Sequence, residues 1–228
     1  EIRRNSGKIV EACAEIRDKQ KFSTSRVFDE ATGDNLMLLE KTSNDEKKTS
    51  LINFLRRMQA TGRDPVWDCQ VLTAMNKSSE LSRKELNKVL QGFLNPNGEQ
   101  VKGNPFRRGD KIINLKNGWF PALDAGSAEA NGDGKVFVAN GELAEVLAVE
   151  PARTIVRLQS PDRTVIIPLA AKEKDEGGGE PKEEYGWGAT DGSDDAGAAG
   201  SWDLGYAIST HKSQGSEWPV VIVMLDDY

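Results

Sequence analysis

The sequence predicts an α/β protein: a parallel-sheet domain interrupted by a small antiparallel β-barrel. Three observations predict it. Residues 51–93 alternate helix, strand and helix patterns. Residues 110–168 hold five short β-branched runs separated by Gly, Pro and Asp turns. Residues 206–225 then return to buried strand patterns. A barrel lying between two pieces of one sheet domain is an insertion rather than a terminal domain.

The elements follow in chain order. Within 4–19, Ile9, Cys13 and Ile16 fall at helical spacing, and Asn5 or Ser6 can cap that helix. A charged, turn-rich passage comes next, with a short strand expected at 35–39. Residues 51–58 read as an amphipathic helix ended near Gly62 and Pro65. Val71, Leu72, Ala74 and Met75 make 67–75 a buried parallel strand. In 82–93, Leu86, Val89, Leu90 and Phe93 share one helical face, and Asn95-Pro96 stops the helix. The barrel strands are expected at 110–115, 135–139, 142–149, 154–158 and 164–168, with turns at Asn131-Gly132-Asp133-Gly134, Asn140-Gly141 and Ser160-Pro161-Asp162. Residues 172–201 are Gly-rich, acidic and too poor in apolar surface to pack, so a flexible loop is expected there. The predicted organisation is 1–104 and 202–228 as the two parts of the sheet domain, 105–171 as the barrel and 172–201 as the loop.

Composition narrows the class. The chain has 228 residues, 37% hydrophobic and 29% charged, enough for one large domain or two small ones. No apolar run approaches the ~20 residues of a membrane span, and no signal-peptide core follows Glu1, so a cytoplasmic protein without a membrane partner is expected. Cys13 and Cys69 sit in apolar patterns and read as reduced core residues, neither a disulfide framework nor a metal set. The net charge of −6 argues against a nucleic-acid partner only on its face. Residues 172–200 hold nine acids and three bases, an excess equal to the whole net charge, so the rest of the chain is formally neutral and a local basic surface is allowed.

One stretch concentrates chemistry: Tyr206-Ala-Ile-Ser-Thr-His-Lys-Ser-Gln-Gly-Ser-Glu-Trp-Pro-Val-Val-Ile-Val223. It reads as strand, polar turn, strand. His211, the single histidine, stands at the strand end, where open α/β sheets bind ligands. Gly215 lets backbone approach a ligand, Glu217 can accept from sugar hydroxyls, and Thr210 and Lys212 can donate to phosphates. Read alone, a histidine at a strand end is more often a structural imidazole bonded to backbone than a ligand.

As a string, Ser209-Thr210-His211-Lys212-Ser213-Gln214-Gly215-Ser216-Glu217 resembles motif V of superfamily-one DNA helicases in its RecD-like form. Arg3-Arg4-Asn5-Ser6-Gly7-Lys8-Ile9-Val10 is similar to motif IV, in which an arginine before a helix reaches the γ-phosphate. Gln70-Val71-Leu72-Thr73, Leu86-Asn87-Lys88-Val89-Leu90-Gln91, Phe106-Arg107-Arg108-Gly109-Asp110-Lys111-Ile112 and Val138-Ala139-Asn140-Gly141-Glu142 extend the likeness over most of the chain. The resemblance implies a RecA-like second motor domain of the P-loop-NTPase type with an inserted barrel of the Src-homology-3 type. It implies DNA contacts at Thr210 and His211, beside which Lys212 is a candidate phosphate donor; Thr73 and Asn87 read either as further DNA contacts or as a strand end and a helix surface residue. It implies ATP contacts at Arg4, Gly215 and Glu217, with Arg3 as a substitute for Arg4.

The implied activity is ATP-dependent translocation on single-stranded DNA, 5′ to 3′, with unwinding at duplex junctions in replication, recombination or repair. No Gly-x-x-x-x-Gly-Lys-[Ser/Thr] loop occurs, and motif VI is absent from the chain. The expectation is therefore a piece of a longer helicase, inactive alone, with Mg²⁺ ligands and the rest of the ATP site in an N-terminal motor half. Trp119 and Phe120 are expected either as a wedge or stacking platform near the duplex junction or as barrel core. The competing readings are a non-catalytic nucleic-acid-binding module and a barrel that docks a protein. Coupling to a nuclease finds no carboxylate cluster to support it.

Overall fold

The structure is a computed structural model that describes residues 7–25, 27–29, 31–123, 130–169 and 201–226. It divides into two compact units, residues 1–46 and 47–228. The first contains helix α1 (Lys8–Arg17), which starts at Gly7 with φ 78°. A Cβ on Gly7 would collide with the Gly33 carbonyl, which accepts from Lys8 N at 3.0 Å. Asn35 Oδ1 accepts from Ile9 N, and Asp34 accepts from Ser25 and Thr32, so a small Asx-rich loop braces the helix. The strand expected at 35–39 does not form. The only pairing nearby among the described residues is the Asp29–Asp34 bridge. Cys13 is exposed rather than core, whereas Cys69 is buried. Asn5 and Ser6 lie outside the described residues.

The second unit begins within helix α2 (Asn44–Ala60), where Ser43 Oγ accepts from Glu46 N. Leu51, Leu55 and Met58 form its buried stripe. Strand β1 (Cys69–Thr73) is buried throughout, and α3 (Arg83–Leu94) is capped by Ser82 and buries Leu86 and Leu90 completely. There follow β2 (Lys111–Asn114), β3 (Gly118–Pro121), β4 (Lys135–Val138), β5 (Leu143–Val149), β6 (Arg153–Gln159), β7 (Asp162–Pro168), β8 (Trp202–Leu204), β9 (Ala207–Ser209) and β10 (Val220–Met224).

Two architectures result. β10, β1 and β9 form a parallel sheet with β1 in the centre. Cys69, Val71, Ala207, Val220 and Met224 pack with residues of α2 and α3 in one core. The antiparallel sheet runs β7-β6-β5-β2-β8, and the hairpin β3–β4 stands beside it. The expected barrel is corrected here: the sheets are open. Beside β7 the hairpin makes the isolated Ala122–Val165 bridge, a Leu123 N to Thr164 O bond and an Arg163 to Phe137 O bond, and among the described residues no ladder closes the ring. Phe120, Val136 and Val138 of the hairpin nevertheless share one core with Val156, Val165 and Trp202. β8 pairs with β2, so the chain returns to the parallel sheet at β9. Among the described residues no helix is long and apolar enough to cross a membrane.

A buried lysine joins the two sheets. Lys111 Nζ donates to the Val66 carbonyl at 2.7 Å and lies 5.1 Å from the centre of the Trp67 ring. Burial pulls its pKa down to about 8. The folded chain thus releases this proton before the unfolded chain does, and stability should rise with pH above about 8. Burial pushes the Cys69 thiol up to about 12, which acts in the opposite direction once unfolded thiols ionise near pH 9. Urea midpoints should therefore rise between pH 8 and 9, by about 1 kcal/mol in unfolding free energy, then level off. In Lys111→Met the rise should vanish; an unchanged rise would show that another group causes it.

Candidate nucleic-acid interface

The parallel register decides where the polar turn stands. Thr73 of β1 pairs with Ser209, the last residue of β9, and Cys69 pairs with Val220, the first residue of β10. Residues 210–219 must therefore leave the carboxyl end of one edge strand and return to the amino end of the other. At 3.3 Å per residue and 4.8 Å between strands the diagonal is roughly 16 Å, about five extended residues. The other half of the segment is left to build a turn. Thr210 N donates to Thr73 O at 3.2 Å, Lys212 N and Ser213 N both donate to Ser209 O, and Ser213 Oγ donates to Thr210 O at 2.8 Å. Gly215 adopts φ 87° with open space around it, which suits a backbone that a ligand approaches. Trp218, on the return, packs against Leu72, Ile113 and Ile208.

The turn thus presents Thr210, His211, Gln214, Gly215, Ser216 and Glu217 to solvent. Thr210 and His211 stand at the carboxyl end of β9, and Glu217 begins the return. Lys212 is half-buried: its Nζ donates to the Leu115 carbonyl at 3.4 Å and to the Asn140 side chain, both in the insert. Burial lowers its pKa, and the Arg83 guanidinium lowers it further. Arg83 is itself paired with Asp203.

Two of the candidate contacts are buried. Thr73 is 1% exposed, and its hydroxyl donates to Leu81 O while accepting from Met75 N. Asn87 is 2% exposed; its Nδ2 donates to the carbonyls of Leu204 and Ala207, and its Oδ1 accepts from Ala207 N at 2.7 Å. Neither side chain offers a face to DNA. Both support β9 instead. Arg3 and Arg4 lie outside the described residues.

Sequence reasoning missed the groups that hold β9 at its start. Asp110 is fully buried and accepts from Gln91, Asn95, the Arg107 amide and the Tyr206 hydroxyl at 2.6–3.0 Å. Four donors offset the desolvation of one carboxylate. Burial, then the Asp110 charge, raise the Tyr206 pKa. Gln70 Nε2 donates to the carbonyls of Gly205 and Tyr206. A carboxylate set between Arg107-Arg108-Gly109 and the strand Lys111-Ile112-Ile113-Asn114 was the available signal.

No family model matches the chain, and no curated protein matches it. Among solved structures it is similar to Pif1 helicase from Bacteroides in complex with ADP-AlF3 and single-stranded DNA, at 15% identity and a TM-score of 0.39, over 85% of this chain and 46% of that one. It is also similar to Bacteroides Pif1 bound to single-stranded DNA, at 14% identity and a TM-score of 0.35, over 83% of this chain and 45% of that one. A third structure, of two coordinating Pif1 helicases at forked double-stranded DNA, gives 13% and 0.35 over 82% and 42%. The chain spans less than half the length of each.

The two classes of residue should separate in denaturation experiments. Asn87→Ala strands three backbone groups of residues 204–207 and should cost about 2–4 kcal/mol. His211→Ala, at an exposed turn, should stay within about 0.5 kcal/mol of the parent. A mild effect of Asn87→Ala would remove it from the support of β9.

Proposed function

We propose that this chain is the second motor half of an ATP-dependent DNA helicase of superfamily one, of the RecD-like branch. One observation carries the proposal: the string that resembles motif V forms an exposed turn at the carboxyl end of a parallel strand, held from behind by buried side chains. Thr210 and His211 take the backbone of single-stranded DNA, and Lys212 lends charge from behind. Gly215 and Glu217 face the nucleotide, with the exposed Glu217 carboxylate accepting from the ribose hydroxyls. The open space at Gly215 and the exposure of Glu217 fit such a ligand. Arg4 is assigned to the γ-phosphate. Mg²⁺ is assigned to groups of the other motor half.

Coupling follows from the shortness of the segment. About half of residues 210–219 is needed to cross the sheet, and Trp218 anchors that half. Little slack separates Glu217 from Thr210. A shift of Glu217 when the nucleotide cleft closes is passed to the strand contact, and alternating grip and release gives translocation, 5′ to 3′ in this branch. In the intact protein Thr210→Ala and His211→Ala should each weaken oligo(dT) binding about 5-fold, the worth of one hydrogen bond. Glu217→Ala should leave that affinity unchanged and raise the ATP concentration needed for half-maximal unwinding. Parental behaviour of all three variants would leave the assignment without support.

A further inference from the structure

We infer that the outer face of the β3–β4 hairpin is a base-stacking platform for single-stranded nucleic acid, with Trp119 and Phe137 taking bases and Lys116 and Lys135 taking phosphates. The inference rests on the motor reading for the direction from which the strand arrives. The hairpin alternates with the period of two that strands impose. Phe120, Val136 and Val138 point into the core, with Phe120 3% exposed and edge-on to Trp202 at 5.5 Å. The opposite face carries two cross-strand pairs, Trp119 with Phe137 and Pro121 with Lys135. Of the two aromatics flagged in the sequence, the structure therefore separates a core residue, Phe120, from a surface one, Trp119.

The core does not account for that outer face. Trp119 is 55% exposed and Phe137 41%, with ring centres 5.4 Å apart and planes at 64°. In an edge-to-face pair one ring holds the other in place, and a π-face stays open. Every base has a π-face, so such a platform binds a strand without reading its sequence. The charges around it favour phosphate. Lys116 and Lys135 are exposed and have no ion-pair partner among the described residues, and the outer face of the hairpin strands bears no acid. Arg163 donates to the Phe137 carbonyl, and its charge is answered by Glu142.

The platform also joins the proposed strand contact by a short chain of bonds. Lys212 of the turn holds Asn140, and Asn140 N donates to Asn117 Oδ1 at 2.7 Å. Asn117 lies two residues before Trp119. A strand leaving Thr210 and His211 on this side meets the hairpin next.

The test is titration of the chain with oligo(dT) of about 6 and about 16 nucleotides, the span of known single-strand site sizes. Trp119→Ala and Phe137→Ala should each weaken the longer oligonucleotide roughly 10-fold and leave the shorter nearly unchanged, with Trp119→Phe retaining most of the affinity. Thermal melting checks that these exposed positions leave the fold intact. Unchanged affinity of both alanine variants for the longer oligonucleotide, while Thr210→Ala weakens both lengths, would overturn the platform and leave the motor reading standing. Equal losses at both lengths would also overturn it. Loss at Trp119 and Phe137 with none at Thr210 would uphold the platform and remove the motor reading. Affinity for a protein lost in the alanine variants, with oligonucleotide binding unchanged, would make the face a docking surface and end the proposal.

Discussion

β9 and β10 run parallel on opposite sides of β1, and ten residues join them. Parallel neighbours ordinarily need a longer crossover, most often a helix. Here the chain has room only for a compact turn at one end of the sheet and an extended return across it. Everything distinctive about the candidate site follows from that shortage. The turn is forced to the carboxyl end of β9, its polar residues face outward, and its far end is fastened by Trp218 over Leu72 and Ile208. A longer crossover would have covered this end of the sheet and freed the two halves of the turn from each other.

Such a turn needs a fixed base, and buried polar groups supply it. Asn87 reaches β9 from α3, Gln70 from β1, and Asp110 through Tyr206. Each of these side chains bonds to residues far away in sequence, although Gln70 Oε1 is buried without a partner, and removing one leaves buried groups unpaired in the interior. Apolar packing alone would bury β9 without fixing its register. The insert belongs to the same arrangement. Asp110 and Lys111 open its first strand and reach into the parallel domain, while Asn140 and the Leu115 carbonyl hold Lys212. The insert is thereby attached at both ends of the strand that carries the turn.

Much of this was legible in the residues. α3, β1, β9 and β10 were readable because their apolar spacing is unbroken and Asn95-Pro96, Gly62 and Gly215 punctuate it. Five insert strands were readable from β-branched runs between turn residues. The β3 strand was not, because Gly118-Trp119-Phe120-Pro121 shows neither alternation nor β-branching and pairs only with β4. β8 is three residues long and follows an acidic stretch that masked it. The barrel expectation rested on five strands between turns, but closure depends on edge pairing, which composition does not encode. Thr73 and Asn87 were ambiguous for a related reason. A polar residue at a strand end or on a helix looks the same in sequence whether it meets solvent or a carbonyl 120 positions away, as Asn87 does at Ala207.

In the proposed complex the exposed turn after β9 touches a nucleic-acid strand. Photocrosslinking with a single-stranded oligonucleotide carrying bromodeoxyuridine, followed by peptide mapping, tests it without mutating the chain. Adducts are expected within residues 210–212. Efficient crosslinking confined to other segments, α2 or the β6–β7 edge for example, with none in the turn, would contradict this contact.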